Sequence, residues 1–409
     1  MVFCLALFAA ATPVPSHAAP PVSLSLADAI HLAREHSPTL RAAAARIAGA
    51  NARVRAAGLP PNPSLALAHG AGHDAAGLDE DVVLSQTLEL PGKTAPRVRS
   101  ARSERQAALA GQAGTAQDLT FSVQAAYYEA LRADAERQLA ADALATAKAF
   151  ETAAQTQFQA GDVPRSNVVR SGIETARAQQ VLDATETERG NRTAALRSLT
   201  GLPPDAAITL TDSLTDQTTA FRLPDLQAQA LRLRPDILAA ESLQRARGAD
   251  VSGARAAWQP DLFVEGRRAA ITPYADTPNG SSVRAGFTLP LLDLGRNRSD
   301  VAAAKARLTE QQATVGETER ATLLDVETAY NNLVTAQKAV ASFRAGRLDR
   351  AKELLDMAQT GYQHGASSYL ELLDAQQVYR NEQTDYTRAL ADENVALASL
   401  QHAVGGTLP

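Results

Sequence analysis

Gly365-Ala366-Ser367-Ser368-Tyr369-Leu370-Glu371-Leu372-Leu373-Asp374 is a tight reversal between two long apolar-periodic segments. Gly365 suits the left-handed backbone at which helices stop, and Ser368 with Glu371 three residues on reads as a capping box that starts the next helix. The stretch is therefore the tip of a helical hairpin. Glu371 and Asp374 lie three apart, so both carboxylates leave one helix face about one turn beyond the reversal. A ring of such pairs makes an acidic mouth.

The tip has an earlier copy. A shift of 204 residues lays Phe158, Gly161 and Asp162 on Tyr362, Gly365 and Ala366, and also matches Gln155 with Gln359, Leu196 with Leu400 and Gly201 with Gly405. A second register of 197 residues pairs Leu26 with Leu223, Asp28 with Asp225, Pro38 with Pro235 and Pro63 with Pro260. Alanine-rich helices match by composition alone, whereas Pro, Gly and Asp matches at fixed spacing do not. The chain reads as a tandem duplication: a first repeat over residues 19–201, a linker over 202–222, a second repeat over 223–405 and a short tail over 406–409.

Of the 409 residues 45% are apolar but only 4% aromatic, and alanine is abundant, which favours long, closely packed helices over a thick core. The net charge is −5 with cations scattered along helix faces, which argues against nucleic acid as a partner. Residues 1–18 read as a secretory leader: an apolar run, Pro13 and Pro15, then the small-residue site Ser16-His17-Ala18. No Lys or Arg precedes Arg34, so the usual positive start is missing. Cleavage near Ala18 removes Cys4, the only cysteine, and with it any disulfide, thiolate ligand or lipid-bearing first residue.

In order, the pattern predicts a helix over 26–58, ended by Pro60, Pro61 and Pro63. Alternating strands over 64–69 and 82–90 flank a loop rich in Gly and Asp. A helix over 93–160 follows, on the order of 100 Å long at 1.5 Å per residue. Gly161-Asp162-Val163-Pro164 reverses it, with Gly as stop, Asp as cap and Pro in the first turn of a return helix to about residue 200. The second repeat has the same order: a helix over 223–257, strands over 262–268 and 283–291, a long helix over 296–364, the tip at 365–368 and a last helix over 368–404.

No run of 18 apolar residues is present to make a membrane helix. Four alternating strands in an exported chain instead suggest a membrane β-barrel, where lipid-facing and lumen-facing residues alternate. Four strands cannot close, and an open edge in lipid leaves backbone groups unpaired, so the protomer must oligomerise. Three copies supply twelve strands. Trp258, Phe263, Tyr274 and Phe287 fall where interfacial aromatics sit.

At this point the chain resembles the TolC-like outer-membrane factor family, over nearly everything after the leader. The resemblance rests on Leu26-Ala27-Asp28-Ala29 with Asn62-Pro63, on Ser85-Gln86-Thr87-Leu88-Glu89-Leu90-Pro91-Gly92-Lys93, on Leu289-Pro290-Leu291 with Gly295-Arg296, and on the two tips. The Ser85 to Lys93 run is similar to the branch that serves heavy-metal efflux. The resemblance implies a mainly helical chain with membrane strands, trimeric, with a twelve-strand barrel in the outer membrane continuous with a twelve-helix periplasmic barrel closed at its tip. It implies a passive gated duct in a tripartite efflux system, partnered by a periplasmic membrane-fusion adaptor and an inner-membrane pump. Glu371 and Asp374 correspond to acidic gate rings and Tyr362 to a tyrosine that holds the gate shut. Where relatives carry an Arg–Asp lock between hairpins, this chain has Ser367 and Asn167, with Arg170 as a replacement at the level of Asp374. Gly161, Asp162, Gly365 and Ala366 are the expected adaptor-docking positions.

Each residue also has a plainer reading. Glu371 suffices as a helix cap, and Asp374 as a solvated carboxylate. His69, His73, Asp74, Asp79, Glu80 and Asp81 read as wet loop residues rather than metal ligands, because 69 and 73 share a face only in a helix. His31, His36 and His402 have no partner at ligand spacing. No hydrolase, zinc-protease or Walker motif occurs and Gly70-Ala71-Gly72 lacks the third glycine of a dinucleotide loop, so neither an enzyme nor a cofactor is expected. A soluble periplasmic coiled-coil adaptor with a small independent sheet is the competing reading.

Overall fold

In the computed structural model of the protein, residues 22–71, 78–272, 280–290, 294–406 and 408 are described. The leader with Cys4, the loop residues His73 and Asp74, and Tyr274 and Leu291 lie outside them. In chain order the elements are β1 (Val22–Leu24), α1 (Leu26–His36), α2 (Pro38–Gly58), β2 (Ser64–Ala71), β3 (Leu78–Leu88), α3 (Pro91–Ala160), α4 (Arg165–Thr200) and β4 (Ile208–Leu210). Then come α5 (Leu223–Leu233), α6 (Pro235–Ala256), β5 (Asp261–Thr272), β6 (Gly280–Thr288), α7 (Arg296–Ser342), a π-turn (Phe343–Arg347), α8 (Leu348–Gln363) and α9 (Tyr369–Val404). The chain is mainly helical, and among the described residues no helix is long and apolar enough to cross a membrane.

Three predicted helices are interrupted. The one over 26–58 breaks at Ser37, whose ψ of 119° is extended, and the one over 223–257 breaks at Arg234, with ψ of 124°. Each precedes a proline, whose ring clashes with a helical residue before it and which has no N–H to donate. The helix over 296–364 breaks at the π-turn, where Gly346 has φ of 89°. Its counterpart by the 204-residue shift, Asp142, sits in unbroken helix in α3. The strands are also displaced from their expected bounds: 64–71, 78–88, 261–272 and 280–288 replace 64–69, 82–90, 262–268 and 283–291. Residues 202–222 are not merely a linker, since β4 pairs in parallel with β1.

Two compact units form, each drawing on both halves of the sequence. Among the described residues one takes in 22–37, 119–218 and 333–398. Its core joins Leu24, Ala29, Ala33, Val123, Tyr127, Leu131, Leu196 and Ile208. Tyr127 is buried and its hydroxyl lies 2.9 Å from both the Leu24 carbonyl and Asp212 Oδ2, the carboxylate that also accepts from the Leu26 N–H at 2.8 Å. Burial, then Asp212, pushes the phenol up to about 12. The segment after β4 is held to the last helix: Glu393, buried, accepts from the Gln217 N–H, and the Asn394 side chain donates to the Thr215 carbonyl. Arg344 of the π-turn pairs with Asp216, and Arg347 with Glu382 at 2.6 Å while stacking over Phe343.

The other unit takes in Pro38–Asp118, Thr219–Asn332 and Ser399–Pro409. On α2 the buried residues are Ala43, Ala50 and Ala57, one every seven residues. This spacing with so small a side chain is the close helix contact that the composition predicts. Arg234, largely buried, bonds Asp236, Asp325 and the Ala403 carbonyl. The four-stranded sheet is antiparallel throughout, in the order β2-β3-β5-β6, so each half of the chain supplies a hairpin and β3 joins β5. In a single chain the sheet is open, with β2 and β6 as its edges.

Candidate functional site

Both hairpin tips close with the same backbone bonds. At the first, the Gly161 N–H donates to Phe158 O at 3.1 Å and the Asp162 N–H to Gln157 O at 2.9 Å; at the second, Gly365 donates to Tyr362 O at 3.1 Å and Ala366 to Gly361 O at 2.7 Å. This is the paired bonding of a Schellman stop, and it needs φ of 85° at Gly161 and 71° at Gly365, which glycine alone takes without strain. After the first tip the expected Asp162 cap does not form: Pro164 is the N-cap of α4 and no side chain bonds there. A proline at that position fixes the extended entry to the helix without a cap. After the second, the capping box is made in full, the Ser368 N–H donating to Glu371 Oε2 at 2.7 Å and the Glu371 N–H to Ser368 Oγ at 3.2 Å.

The site residues fall into two groups. Tyr362 is half-buried, meets the Tyr369 ring with centroids 5.9 Å apart and donates to Gln157 Oε1 at 3.4 Å, a contact between the two hairpins. Beneath it, Ala358, Leu372 and Ala375 pack with Phe150 and Leu355. Ser367 lies against Gly361, where a Cβ would collide with its hydroxyl, so a side chain at 361 would displace the turn. Glu371, Asp374 and Arg170 are exposed. Among the described residues no ion pair joins Arg170 to Asp374 and no hydrogen bond joins Ser367 to Asn167, which is half-buried. Sequence reasoning missed Tyr369 and Gln157. Tyr369 is buried, its hydroxyl has no partner among the described residues, and burial, more than nearby Tyr362 and Glu174, raises its pKa. Its position between a capping serine and Glu371 gave only a helix start. Also missed is a groove of about 660 Å³ between α3, α4 and α9, where Arg388 pairs with Glu136 at 2.8 Å and Arg177 with Glu174 at 2.7 Å. Arg380 on its wall is pulled below the usual arginine range by burial, which Glu174 offsets in part.

The sheet has one mainly apolar and one mainly polar face, with Ser281 on the first and Val83 on the second. Register places Leu65, Leu67, Val82, Leu84, Leu88, Leu262, Val264, Val283 and Phe287 on one face, and Ser64, Ser85, Thr87, Phe263, Glu265, Arg267, Ser282, Arg284 and Thr288 on the other. The apolar face is bare: Leu67 is 74%, Val283 81% and Phe287 68% exposed. Gln86 and Arg268 are polar exceptions on it, Gln86 bonding the Pro61 and Thr87 carbonyls. Trp258, before β5, is likewise exposed. At the helical end Lys93 pairs with Asp261 at 2.8 Å and Arg97 with Glu89 at 2.6 Å, which ties the start of α3 to the sheet.

The model of the outer membrane efflux protein family matches residues 29–202 and 226–406. OprJ, an outer membrane protein of Pseudomonas aeruginosa, is 31% identical over 45% of this chain and 39% of its own length. Protein CyaE of Bordetella pertussis is 29% identical over 86% of this chain and 78% of its own, and the cation efflux system protein CusC of Escherichia coli K12 is 30% identical over 70% and 64%. The chain thus spans well under half of OprJ and just under two thirds of CusC. Among solved structures, a Pseudomonas aeruginosa membrane protein superposes with a TM-score of 0.80 at 22% identity, covering 93% of each chain.

Proposed function

The chain belongs to the outer membrane efflux protein family, and from that premise we propose that it is the outer-membrane channel of a tripartite, RND-type efflux system, a passive gated duct rather than an enzyme. The observation that carries this is the four-stranded sheet with one bare apolar face, one polar face and two unpaired edges. In water an exposed apolar face of that extent is a liability, and in lipid it is the required surface. Edges in lipid demand partners, so three chains close twelve strands into a barrel, with the helices forming the periplasmic part. A soluble adaptor has no use for such a face.

In this reading the chain is a tandem duplication, and the matched tip bonds support it. The tips are the periplasmic end, where Gly161, Asp162, Gly365 and Ala366 meet the hairpins of a membrane-fusion adaptor and an inner-membrane pump supplies cargo and energy. Glu371 and Asp374 form acidic rings at the gate, and Tyr362, bonded to Gln157 of the other hairpin, holds it closed. Ser367, Asn167 and Arg170 stand where relatives have a lock; with no ion pair formed there, the gate opens readily. Heavy-metal cations, suggested by the run from Ser85 to Lys93 and by the likeness to CusC, are the first cargo to test, and drugs the second. Fractionation of cells expressing the tagged chain tests the proposal. Recovery in outer membranes as heat-modifiable trimers is expected, and full recovery in the periplasmic extract overturns it.

A further inference from the structure

On the polar face of the sheet, Asp81, Asp261 and Glu265 each have a cation. Glu265 stands directly across from Arg284 in the ladder, and Arg284 donates to it from Nε at 3.0 Å and Nη2 at 2.6 Å. Arg267 Nε donates to Asp81 Oδ1 at 2.8 Å across β3 and β5. Asp261 takes Lys93 from the start of α3. The acids lie beneath their partners: the Glu265 side chain is 13% exposed against 63% for Arg284, and that of Asp81 24% against 50% for Arg267.

The same face shows that neutral groups serve in a strand, with Ser64, Ser85, Thr87, Ser282 and Thr288, so charge here is not a structural need. The charges are thus present and cancelled. Bore width has its own device. Gly286 lies opposite Phe263, and a Cβ there would meet the ring at 2.7 Å, so glycine lets the ring lie flat on the sheet. At the tip the situation is reversed, since among the described residues neither Glu371 nor Asp374 has a cationic partner.

From this contrast we infer that the sheet section of the duct is blind to the sign of its cargo, because Glu265–Arg284 and Asp81–Arg267 cancel one another. Selection by charge then falls to groups outside the sheet, the tip carboxylates among them. The cargo class that passes the sheet is therefore charged solutes of either sign. The inference rests on the proposed barrel, with the polar face as its lumen. An uncompensated ring in a narrow low-dielectric passage focuses field and enriches counter-ions, which paired charges do not.

The test is the cation-to-anion permeability ratio of purified protein in planar bilayers under a KCl gradient near 0.1 M. The parent for all comparisons is the Glu371→Gln/Asp374→Asn variant, so that tip charge does not dominate. Arg284→Gln uncovers Glu265 and raises the ratio about threefold or more, and Glu265→Gln lowers it by a similar factor. The double variant returns to the parental value, as does Arg284→Lys, which keeps the pair. An unchanged ratio in both single variants, or a double variant that stays with either of them, overturns the inference. If the parent forms no pores, the barrel itself fails and this inference with it; pores with an unmoved ratio refute this inference alone.

Discussion

Replacing Tyr127, a fully buried side chain, with Phe removes a single hydroxyl. That hydroxyl has one proton and two acceptors at 2.9 Å, the Leu24 carbonyl and Asp212 Oδ2. Neither acceptor is orphaned by the change, because Leu24 O also accepts from the Thr211 N–H at 3.1 Å and Asp212 from the Leu26 N–H at 2.8 Å. The cost is therefore that of one hydrogen bond to a charged group, about 1.5–3 kcal/mol, without a desolvation penalty added. At 1.4 kcal/mol per tenfold, amides of β1 and β4 should exchange with solvent roughly 10–100 times faster in the variant. Mass-resolved exchange on peptides covering residues 22–26 and 207–212 reads this directly. Acceleration under about threefold at both would refute the account of how the early strand is fastened. The raised phenol adds a pH signature. The folded state holds the proton up to about 12 and the unfolded state only to about 10. The folded chain thus binds more protons between those values, and stability falls as pH rises through that window. The wild type should lose protection at β1 and β4 there, and Tyr127→Phe should lose no more than it already has.

Further substitutions separate roles that overlap in the wild type. Glu371→Gln keeps the hydrogen bond from the Ser368 N–H and removes charge, while Glu371→Ala removes both, at about 1 kcal/mol for the cap. If charge governs the gate, Gln at 371 and Asn at 374 both raise single-channel conductance; a change in the Ala variant alone assigns Glu371 to capping. Gly346→Ala forces φ of 89° on an L-residue and should cost about 1–2 kcal/mol, whereas Gly190→Ala, in regular helix with open space around it, should gain about 0.5–1 kcal/mol. Apparent melting temperatures in detergent that move the same way for both would contradict this. Arg234→Met removes the cation from Asp236 and Asp325, both about half exposed, and a donor from the Ala403 carbonyl, at about 1–2 kcal/mol, seen as a lower melting temperature.

What the chain discloses before folding is what its local chemistry settles. Gly161, Gly365 and the Ser368–Glu371 box lie within a few residues of the groups they bond, and the tips could be read at once. Alternation over Val82–Leu88 and Leu262–Arg267 fixed the two faces of the sheet because side-chain direction reverses with each residue. Pro38 and Pro235 were equally visible, but the apolar stripes on either side run on in phase, so the breaks at Ser37 and Arg234 were read through. Gly346 resembles Gly190 in sequence, and nothing nearby says which will leave the helix. The partner of Ile208–Leu210 is 186 residues away, beyond any local signal. At the second tip, the acids were legible from their spacing, whereas Tyr369 takes its meaning from its ring contact with Tyr362 and Gln157 from a contact between hairpins.

The mass of the detergent-solubilised protein drawn from outer membranes bears most directly on the central idea that this open four-stranded sheet is one third of a closed wall. Three chains per particle, unchanged on dilution in detergent, is the predicted result. A single chain that stays in solution with the detergent removed would contradict it.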